Sequence, residues 1–205
     1  MCGRYYIAAD DISDELRQII AEVNRKYDDS TLPITTAGEI KPTNIVPVIT
    51  ADDYAANPSV QVMRWGYTLP DGSLSINARS EDTHKTRMYH IGMQKSRCLI
   101  PATSYFEWRS GIKPKPKYEI RPATGNCMYM AGLFRWEGDK QVFSILTCQP
   151  AECIRFIHDR MPVILPSDIA LDWLNTAYRA EDILSHANLN VIAEALTPEQ
   201  IRMDI

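Results

Sequence analysis

The second residue of the chain is a cysteine, in the sequence Met1-Cys2-Gly3-Arg4-Tyr5. Once Met1 is removed, Cys2 carries a free α-amine and a thiol on adjacent carbons. The amine condenses with an aldehyde to an imine, and the thiol then closes on the imine carbon to form a thiazolidine. The amine has a pKa of about 7.7–8.0 and the thiol one of about 8.5, so both react at neutral pH. The alternative is an ordinary buried cysteine behind a retained Met1.

Two further side chains are candidates for proton transfer. Imine formation loses water, so an acid–base group is needed beside the amine. Glu107 lies between Phe106 and Trp108, and apolar neighbours raise a carboxyl pKa by desolvation. The alternative for Glu107 is the solvent side of an alternating strand. His158 has an ordinary pKa of about 6.5, which suits proton transfer, although a histidine before a strand is also used to hold a turn.

Charge is distributed unevenly along the sequence. Residues 1–60 carry a net charge of −5, residues 61–125 carry +6, and residues 126–205 carry −5, which gives −4 overall. An acidic protein is not a general nucleic-acid binder. The central basic block favours a local phosphate-binding surface, and the alternative is a set of lysines and arginines scattered over solvated faces.

Composition excludes several other classes of protein. A chain of 205 residues with 45% hydrophobic and 23% charged residues is typical of a globular protein with a real core. No apolar stretch approaches the roughly 20 residues that a membrane-spanning helix needs, and no signal peptide is visible, so we expect a cytoplasmic protein. Five cysteines without C-x-x-C spacing and four histidines predict neither a disulfide framework nor a metal site, and no cofactor is expected.

Hydrophobic periodicity predicts the elements that must position these residues. Residues 10–26 follow the spacing of an amphipathic helix, which Asp10 or Asp11 would cap. The other predicted elements are strands at 45–50, 59–69, 97–108, 118–121, 128–136, 142–147 and 161–165, a short helix at 150–157, and a helix capped by Ser167 that ends at Leu174. Many short strands with few helices predict a single α+β domain over residues 1–205. We expect a strongly bent, mainly antiparallel sheet or open β-barrel with flanking helices.

Five motifs together resemble one known family. They are Met1-Cys2-Gly3-Arg4-Tyr5, Arg64-Trp65-Gly66-Tyr67, Ile76-Asn77-Ala78-Arg79-Ser80-Glu81, the stretch from Cys98 to Trp108, and Ile157-His158-Asp159-Arg160-Met161-Pro162. In this order and spacing they closely resemble the SRAP family (SOS response-associated peptidase domain), the abasic-site processing proteins. Each motif alone is weak, but the five in order span essentially the whole chain.

The resemblance implies a function for Cys2. Such proteins bind single-stranded DNA, or a junction of single and double strands, at an abasic site. The N-terminal cysteine forms a thiazolidine with the ring-opened sugar, and the crosslink shields the lesion. The resemblance also implies that Glu107 and His158 are catalytic, with His158 linked to sugar-ring opening and to crosslink reversal. It places Asn77 beside the N-terminal cysteine; the alternative for Asn77 is a turn residue.

DNA-binding residues are expected among the motifs. A guanidinium binds phosphate in bidentate fashion, which makes Arg4 and Arg79 the main candidates, joined by Arg160. The alternative for these arginines is salt bridging to acids such as Glu81 and Asp159, and for Arg160 the two interpretations are equally weighted. Trp65 and Pro42 are further candidates, because aromatic side chains stack on unpaired bases, but a tryptophan in a strand is more commonly buried.

Two other classes of function stay open, and two features depart from the family. An N-terminal cysteine hydrolase would use Cys2 on an amide bond, with Glu107 and His158 as acid and base. The family's peptidase label refers to removal of the initiator methionine, which the resemblance implies is autocatalytic. A non-covalent single-strand binder would leave Cys2 without a role.

The loop 68–72 lacks the bulky aromatic residues that family members use as a wedge, and the stretch 148–152 also departs from the family pattern. We expect a monomer that associates with the nucleoid when bound to abasic DNA.

Overall fold

The chain folds as an α+β protein built mainly from antiparallel strands. The computed structural model describes residues 2–10, 12–51, 57–187 and 189–196. The strands are β1 Arg4–Ile7, β2 Gly38–Ile40, β3 Ile45–Ala51, β4 Pro58–Trp65, β5 Tyr67–Thr68, β6 Leu74–Ser75, β7 Asn77–Arg79, β8 Arg97–Ala102, β9 Ser104–Trp108, β10 Lys117–Pro122, β11 Met128–Glu137, β12 Lys140–Cys148, β13 Met161–Pro162, β14 Ile164–Leu165 and β15 Val191–Ala195. The helices are α1 Asp14–Lys26, α2 Arg87–Lys95 and α3 Ala180–Leu184, with 3₁₀ helices at Ser80–Lys85, Glu152–Ile154 and Ala170–Leu174.

Five strands close into a barrel. Strand β12 pairs with β4, β4 with β3, β3 with β8, β8 with β11, and β11 returns to β12. All of these pairings are antiparallel except that of β12 with β4. Closure removes the unpaired edges that an open sheet would present, so the barrel is a stable frame for the segments attached to its ends.

A second sheet carries the N-terminus. Its strand order is β15-β10-β9-β1-β2, and each of these pairings is antiparallel. One hydrophobic cluster is shared by this sheet and the barrel. It includes Cys2, Tyr5, Ile40, Trp65, Ile100, Tyr105 and Phe143. A second cluster lies on the other face of the barrel strands, against α1, α2 and the 3₁₀ helix Ala170–Leu174.

Helix α1 begins later than the sequence predicts. Its N-cap is Ser13, whose Oγ accepts a hydrogen bond from the backbone N–H of Leu16 at 3.2 Å. The prediction of Asp10 or Asp11 as the cap is therefore wrong for Asp10, and Asp11 lies outside the described residues. The amphipathic pattern itself is confirmed, because Leu16, Ile19 and Val23 form the buried face.

Several predicted boundaries differ from the structure. The predicted strand 59–69 is interrupted at Gly66, whose φ of +109° favours glycine. The predicted strand 97–108 is two strands, β8 and β9, and the strand 161–165 is also two, β13 and β14. The predicted helices 150–157 and 167–174 are short 3₁₀ helices, and Ser167 does not cap the second one. No described helix is both long and apolar enough to cross a membrane.

Candidate functional site

Cys2 lies where the N-terminal sheet meets one end of the barrel. The amide Nδ2 of Asn77, on β7, donates a hydrogen bond to the Cys2 carbonyl at 2.8 Å. Strand β7 is itself held by parallel pairing with β12, in which Asn77 lies opposite Ile145. The N-terminal segment is thereby attached to the barrel by one side chain, and the proximity that the resemblance implied for Asn77 is present.

The Cys2 thiol is fully buried. Its exposed fraction is 0%, and its S–H donates to the Arg4 carbonyl with the sulfur 3.6 Å from the oxygen. Burial raises the pKa of this thiol far above its ordinary value, and the negative charge of Glu107 raises it further. The thiol is therefore neutral at physiological pH, and its reaction as a nucleophile needs a base nearby.

Glu107 is the candidate for that base. It lies on β9 with only 4% of its surface exposed, so the alternative of a solvent-facing position is excluded. Burial raises its pKa, and the charge of His158 opposes the increase. A carboxyl group whose pKa is raised by desolvation holds and releases protons closer to neutral pH than an exposed one. Cys2, Glu107 and His158 thus interact electrostatically in one site.

His158 precedes β13 and makes contacts through its Nδ1 atom. The backbone N–H of Arg160 donates to Nδ1 at 3.0 Å, and a carboxylate oxygen of Asp159 lies 2.8 Å from the same nitrogen. The side chain is 23% exposed, so the ring has access to solvent as well as to Glu107. The histidine therefore holds the turn before β13 and also faces the site, so its two interpretations are compatible.

Arg160 adopts the ion-pair arrangement rather than an exposed one. Its guanidinium binds both carboxylate oxygens of Glu81, at 2.5 and 2.8 Å, and donates to the Thr147 carbonyl at 2.7 Å. Only 4% of the Arg160 side chain is exposed. A phosphate would have to displace Glu81 to reach it, so the structure favours the salt bridge over the predicted DNA contact.

The Glu81–Arg160 ion pair leads to a prediction about the stability of the folded protein at low pH. The hydrogen bonds from Arg160 lower the pKa of Glu81 from 4.5 to about 2. Because the pKa of Glu81 is lower in the folded state, its ionised form stabilises the fold. This contribution to the free energy of unfolding is complete above pH 4.5 and is lost as the pH falls through about 2. We expect Glu81→Gln to lower the free energy of unfolding at pH 6, with a difference that shrinks towards pH 2, as measured by urea denaturation. A difference that does not change with pH would contradict this assignment. Glu152→Gln, which removes an exposed pair with Arg155, is the matched control.

The two remaining arginines are accessible. Arg79 has 57% of its side chain exposed, and the nearest carboxylate oxygen, on Asp82, is 3.9 Å away. Arg4 is 34% exposed, donates to the Gly3 carbonyl at 2.9 Å and contacts Glu39 at 3.2 Å. Arg79 follows Asn77 by two residues, so it presents an exposed guanidinium at the same end of the barrel as Cys2.

The structure corrects the predicted base-stacking role of Trp65. This side chain is 0% exposed, and its indole N–H donates to the Ile76 carbonyl at 3.0 Å. Its ring is packed against Phe143, with centroids 6.2 Å apart, so no base can reach its face. Pro42 is partly exposed and lies in the turn that follows β2, in which the Asn44 N–H donates to the Lys41 carbonyl at 3.0 Å.

Sequence reasoning missed several polar atoms in this region. Within the described part of the chain, the Asn77 Oδ1 atom and the hydroxyls of Tyr5 and Tyr105 are buried without a hydrogen-bond partner. Tyr5 belongs to the N-terminal motif. Tyr105 precedes Glu107 by two residues, so the alternation of side chains along β9 is the one signal that would have placed Tyr105 on the same face as Glu107. Among the described residues, no group of three or more His, Cys, Asp or Glu side chains is arranged to hold a metal ion.

Solved structures share this fold. A crystal structure of a protein from Bacteroides thetaiotaomicron superposes with a TM-score of 0.76 at 22% identity, covering 96% of this chain and 92% of that one. A phage-related protein from Bordetella bronchiseptica gives a TM-score of 0.70 at 24% identity, covering 96% and 95%.

Sequence relatives are similar over nearly the full length. The abasic site processing protein YoaM of Bacillus subtilis is 30% identical, covering 98% of this chain and 91% of that protein. The abasic site processing protein YobE of the same organism is 31% identical, covering 98% and 94%. The family model described as SOS response associated peptidase (SRAP) matches residues 1–204. The chain therefore belongs to the SRAP family.

Proposed function

We propose that this protein captures abasic sites in single-stranded DNA as a thiazolidine formed with Cys2. The observation that carries the proposal is the juxtaposition of Cys2 with Asn77 and with the raised-pKa carboxyl group of Glu107. The names of relatives that match nearly the full chain, abasic site processing proteins, support the choice of DNA lesion as substrate.

The reaction begins with removal of Met1 by hydrolysis of the Met1–Cys2 amide bond, which is the peptidase activity assigned to the protein in this proposal. The freed amine adds to the aldehyde carbon of the ring-opened sugar and gives a carbinolamine. Loss of its hydroxyl as water, with a proton delivered by Glu107, forms the imine. The Cys2 sulfur then bonds to the imine carbon, the C=N π electrons move to nitrogen, and the thiol proton ends on that nitrogen.

Each neighbouring residue has a part in this sequence. Asn77 fixes the carbonyl of Cys2 and so sets the direction of the amine. Glu107 gives a proton to the leaving hydroxyl and takes one from the thiol, which burial keeps protonated. His158 exchanges protons with the sugar, first to open the ring and later to reverse the crosslink, which is the lyase-type part of the proposal.

A gel experiment distinguishes this function from its alternatives. The protein without Met1 is incubated with a single-stranded oligonucleotide that holds one abasic site, and the products are run under denaturing conditions. We expect a denaturation-resistant adduct, and none with an intact oligonucleotide. Retention on a native gel alone would instead indicate a non-covalent binder. Release of peptide from a peptide substrate, without any DNA adduct, would indicate an N-terminal cysteine hydrolase.

Arg79 provides a prediction about non-covalent DNA binding. Its exposed guanidinium is proposed to neutralise one phosphate, so Arg79→Ala should weaken binding to intact single-stranded DNA. The slope of log affinity against log salt should fall in magnitude by about 0.7, the value for one phosphate contact on a single strand, because fewer counterions are released. Fluorescence anisotropy titrations at several salt concentrations measure this slope. Arg17→Ala removes a similarly exposed arginine on α1 and is the control. An unchanged slope for Arg79→Ala would exclude the phosphate contact.

A further inference from the structure

Two tyrosine hydroxyls in the core have no structural explanation. Tyr5 and Tyr105 are both 0% exposed, and within the described residues neither hydroxyl has a hydrogen-bond partner. Buried polar groups in proteins are nearly always hydrogen-bonded, and an unsatisfied hydroxyl destabilises the fold. A phenylalanine at either position would fill the same space without this penalty, so the two hydroxyls point to a role other than packing.

The two hydroxyls belong to the side of the sheet that carries the site. Tyr5 and Tyr105 lie directly opposite each other across the β1–β9 pair, so their side chains are on one face. Glu107 follows Tyr105 by two residues and therefore lies on the same face of β9. Tyr5, Tyr105 and Cys2 belong to one hydrophobic cluster, and both tyrosines interact electrostatically with Cys2.

The Cys2 thiol will need new donors when it loses its proton. In its neutral form it donates to the Arg4 carbonyl, and that oxygen cannot stabilise a sulfur anion. Burial raises the pKa of Tyr5 and of Tyr105, so both hydroxyls stay protonated throughout the reaction. The site thus holds two buried donors that have no acceptor among the described residues, and both lie within electrostatic range of a buried thiolate that forms only during the reaction.

We infer that Tyr5 and Tyr105 are catalytic residues whose hydroxyls donate hydrogen bonds to the Cys2 thiolate during ring closure. This inference rests on the proposed function. In the step concerned, Glu107 takes the thiol proton, the sulfur bonds to the imine carbon, and the proton is returned to the imine nitrogen. The tyrosines lose no proton in this step. They lower the energy of the transient thiolate, and the imine-forming step does not use them.

The test compares Tyr5→Phe and Tyr105→Phe with the wild-type protein, all as full chains lacking Met1. Two stages are measured with an abasic single-stranded oligonucleotide: the imine, trapped by borohydride reduction, and the stable adduct that forms without reductant. We expect each substitution to leave imine trapping unchanged and to slow stable-adduct formation roughly 10–100-fold, the effect of one hydrogen bond to a charged group. Tyr6→Phe, on the same strand and the opposite face, is the matched control and should change neither stage.

A second measurement needs no DNA. The pH dependence of Cys2 alkylation by iodoacetamide, followed on the N-terminal peptide by mass spectrometry, reports the thiolate directly. Glu107, Tyr5, Tyr105 and the α-amine of Cys2 are the titratable groups that face this thiol. Because the thiolate is a minor species at every pH used, we expect each phenylalanine variant to lower the alkylation rate at a given pH about 10–100-fold. The thermal midpoint of unfolding should not fall, since no hydrogen bond seen in the structure is removed.

The outcomes separate this inference from the proposed function. Wild-type rates of stable-adduct formation in both phenylalanine variants would overturn the inference and leave the proposed function intact. An equal loss of imine and stable adduct would also overturn it, because that result indicates a distorted site. Should the wild-type protein form no adduct, the proposed function fails, and the alkylation rate still decides whether the tyrosines stabilise the thiolate.

Discussion

Replacing Cys2 by alanine should abolish the stable adduct between the protein and abasic single-stranded DNA. The alanine variant keeps the α-amine and so still condenses with the aldehyde, but it has no sulfur to close the five-membered ring. An imine hydrolyses readily, whereas a thiazolidine survives denaturation. We therefore expect no band on a denaturing gel, and a band that returns when borohydride is added during the incubation.

The control for this experiment is another cysteine. Cys153 is exposed, so Cys153→Ala removes an accessible thiol while leaving the N-terminus unchanged. The adduct should form at the wild-type rate in this variant. A stable adduct from Cys2→Ala that persists without reductant would contradict the thiazolidine mechanism. Loss of the adduct in Cys153→Ala would instead indicate that an internal thiol reacts with the lesion.

Replacing Glu107 by glutamine should slow crosslinking about 10²–10⁴-fold, the range for loss of a general acid–base group. Glutamine keeps the size and hydrogen-bonding shape of the side chain but neither releases nor takes up a proton. The buried thiol of Cys2 then loses its nearby base. Single-turnover rates of adduct formation on denaturing gels measure the effect. The matched control is Glu119→Gln on the adjacent strand β10, where Glu119 pairs with Phe106 and contacts Ser104 at 2.6 Å.

The same variant should show a pH-dependent stability of opposite sign to that of Glu81. Because burial raises the pKa of Glu107, the folded state favours the protonated carboxyl. The protonated carboxyl of Glu107 contributes its full stabilisation below pH 4.5, the ordinary pKa of a glutamate. This stabilisation is lost as the pH rises through the higher pKa that Glu107 has in the folded state. Glu107→Gln, which is always neutral, should thus be at least as stable as the wild-type protein at pH 8. A marked loss of stability there, together with an unchanged crosslinking rate, would remove Glu107 from its catalytic role.

The sequence predicts the local features of the site well. The 3.6-residue period identifies α1, and the β-branched run Ile45–Thr50 identifies β3. The apolar neighbours of Glu107 predict a raised carboxyl pKa, and the direction of the shift agrees. The two elements depend on neighbours in sequence, so a short window contains the information needed, whereas the pKa shift of Glu107 follows from its burial in the folded protein.

Pairing between distant segments could not be predicted in this way. Closure of the barrel depends on parallel contacts of β12 with β4 and with β7, which join Val142 to Arg64 and Ile145 to Asn77. Sequence periodicity carries no information about which strands meet. The burial of Glu107 has the same origin, because the face of β9 that carries Tyr105 and Glu107 packs into the core shared by the sheet and the barrel, which no local pattern reveals.

Arg160 and Trp65 illustrate a related difficulty. An arginine suits a phosphate as well as it suits Glu81, and a tryptophan suits an unpaired base as well as it suits Phe143. Only the partner supplied by the tertiary fold distinguishes the two uses. Helix α2 was missed for another reason: it has nine residues, of which only Gly92 and Met93 are buried, so its apolar face is too short to stand out in the sequence.

Tandem mass spectrometry of the purified adduct is the most direct test of the role of Cys2. The protein is crosslinked to an oligonucleotide with one abasic site and digested with protease and nuclease, and the modified peptide is sequenced. We expect a single modified peptide that begins at Cys2, lacks Met1, and carries the sugar fragment with loss of one water at the cysteine. A modification on any lysine or internal cysteine, or an adduct that still contains Met1, would contradict this role of Cys2.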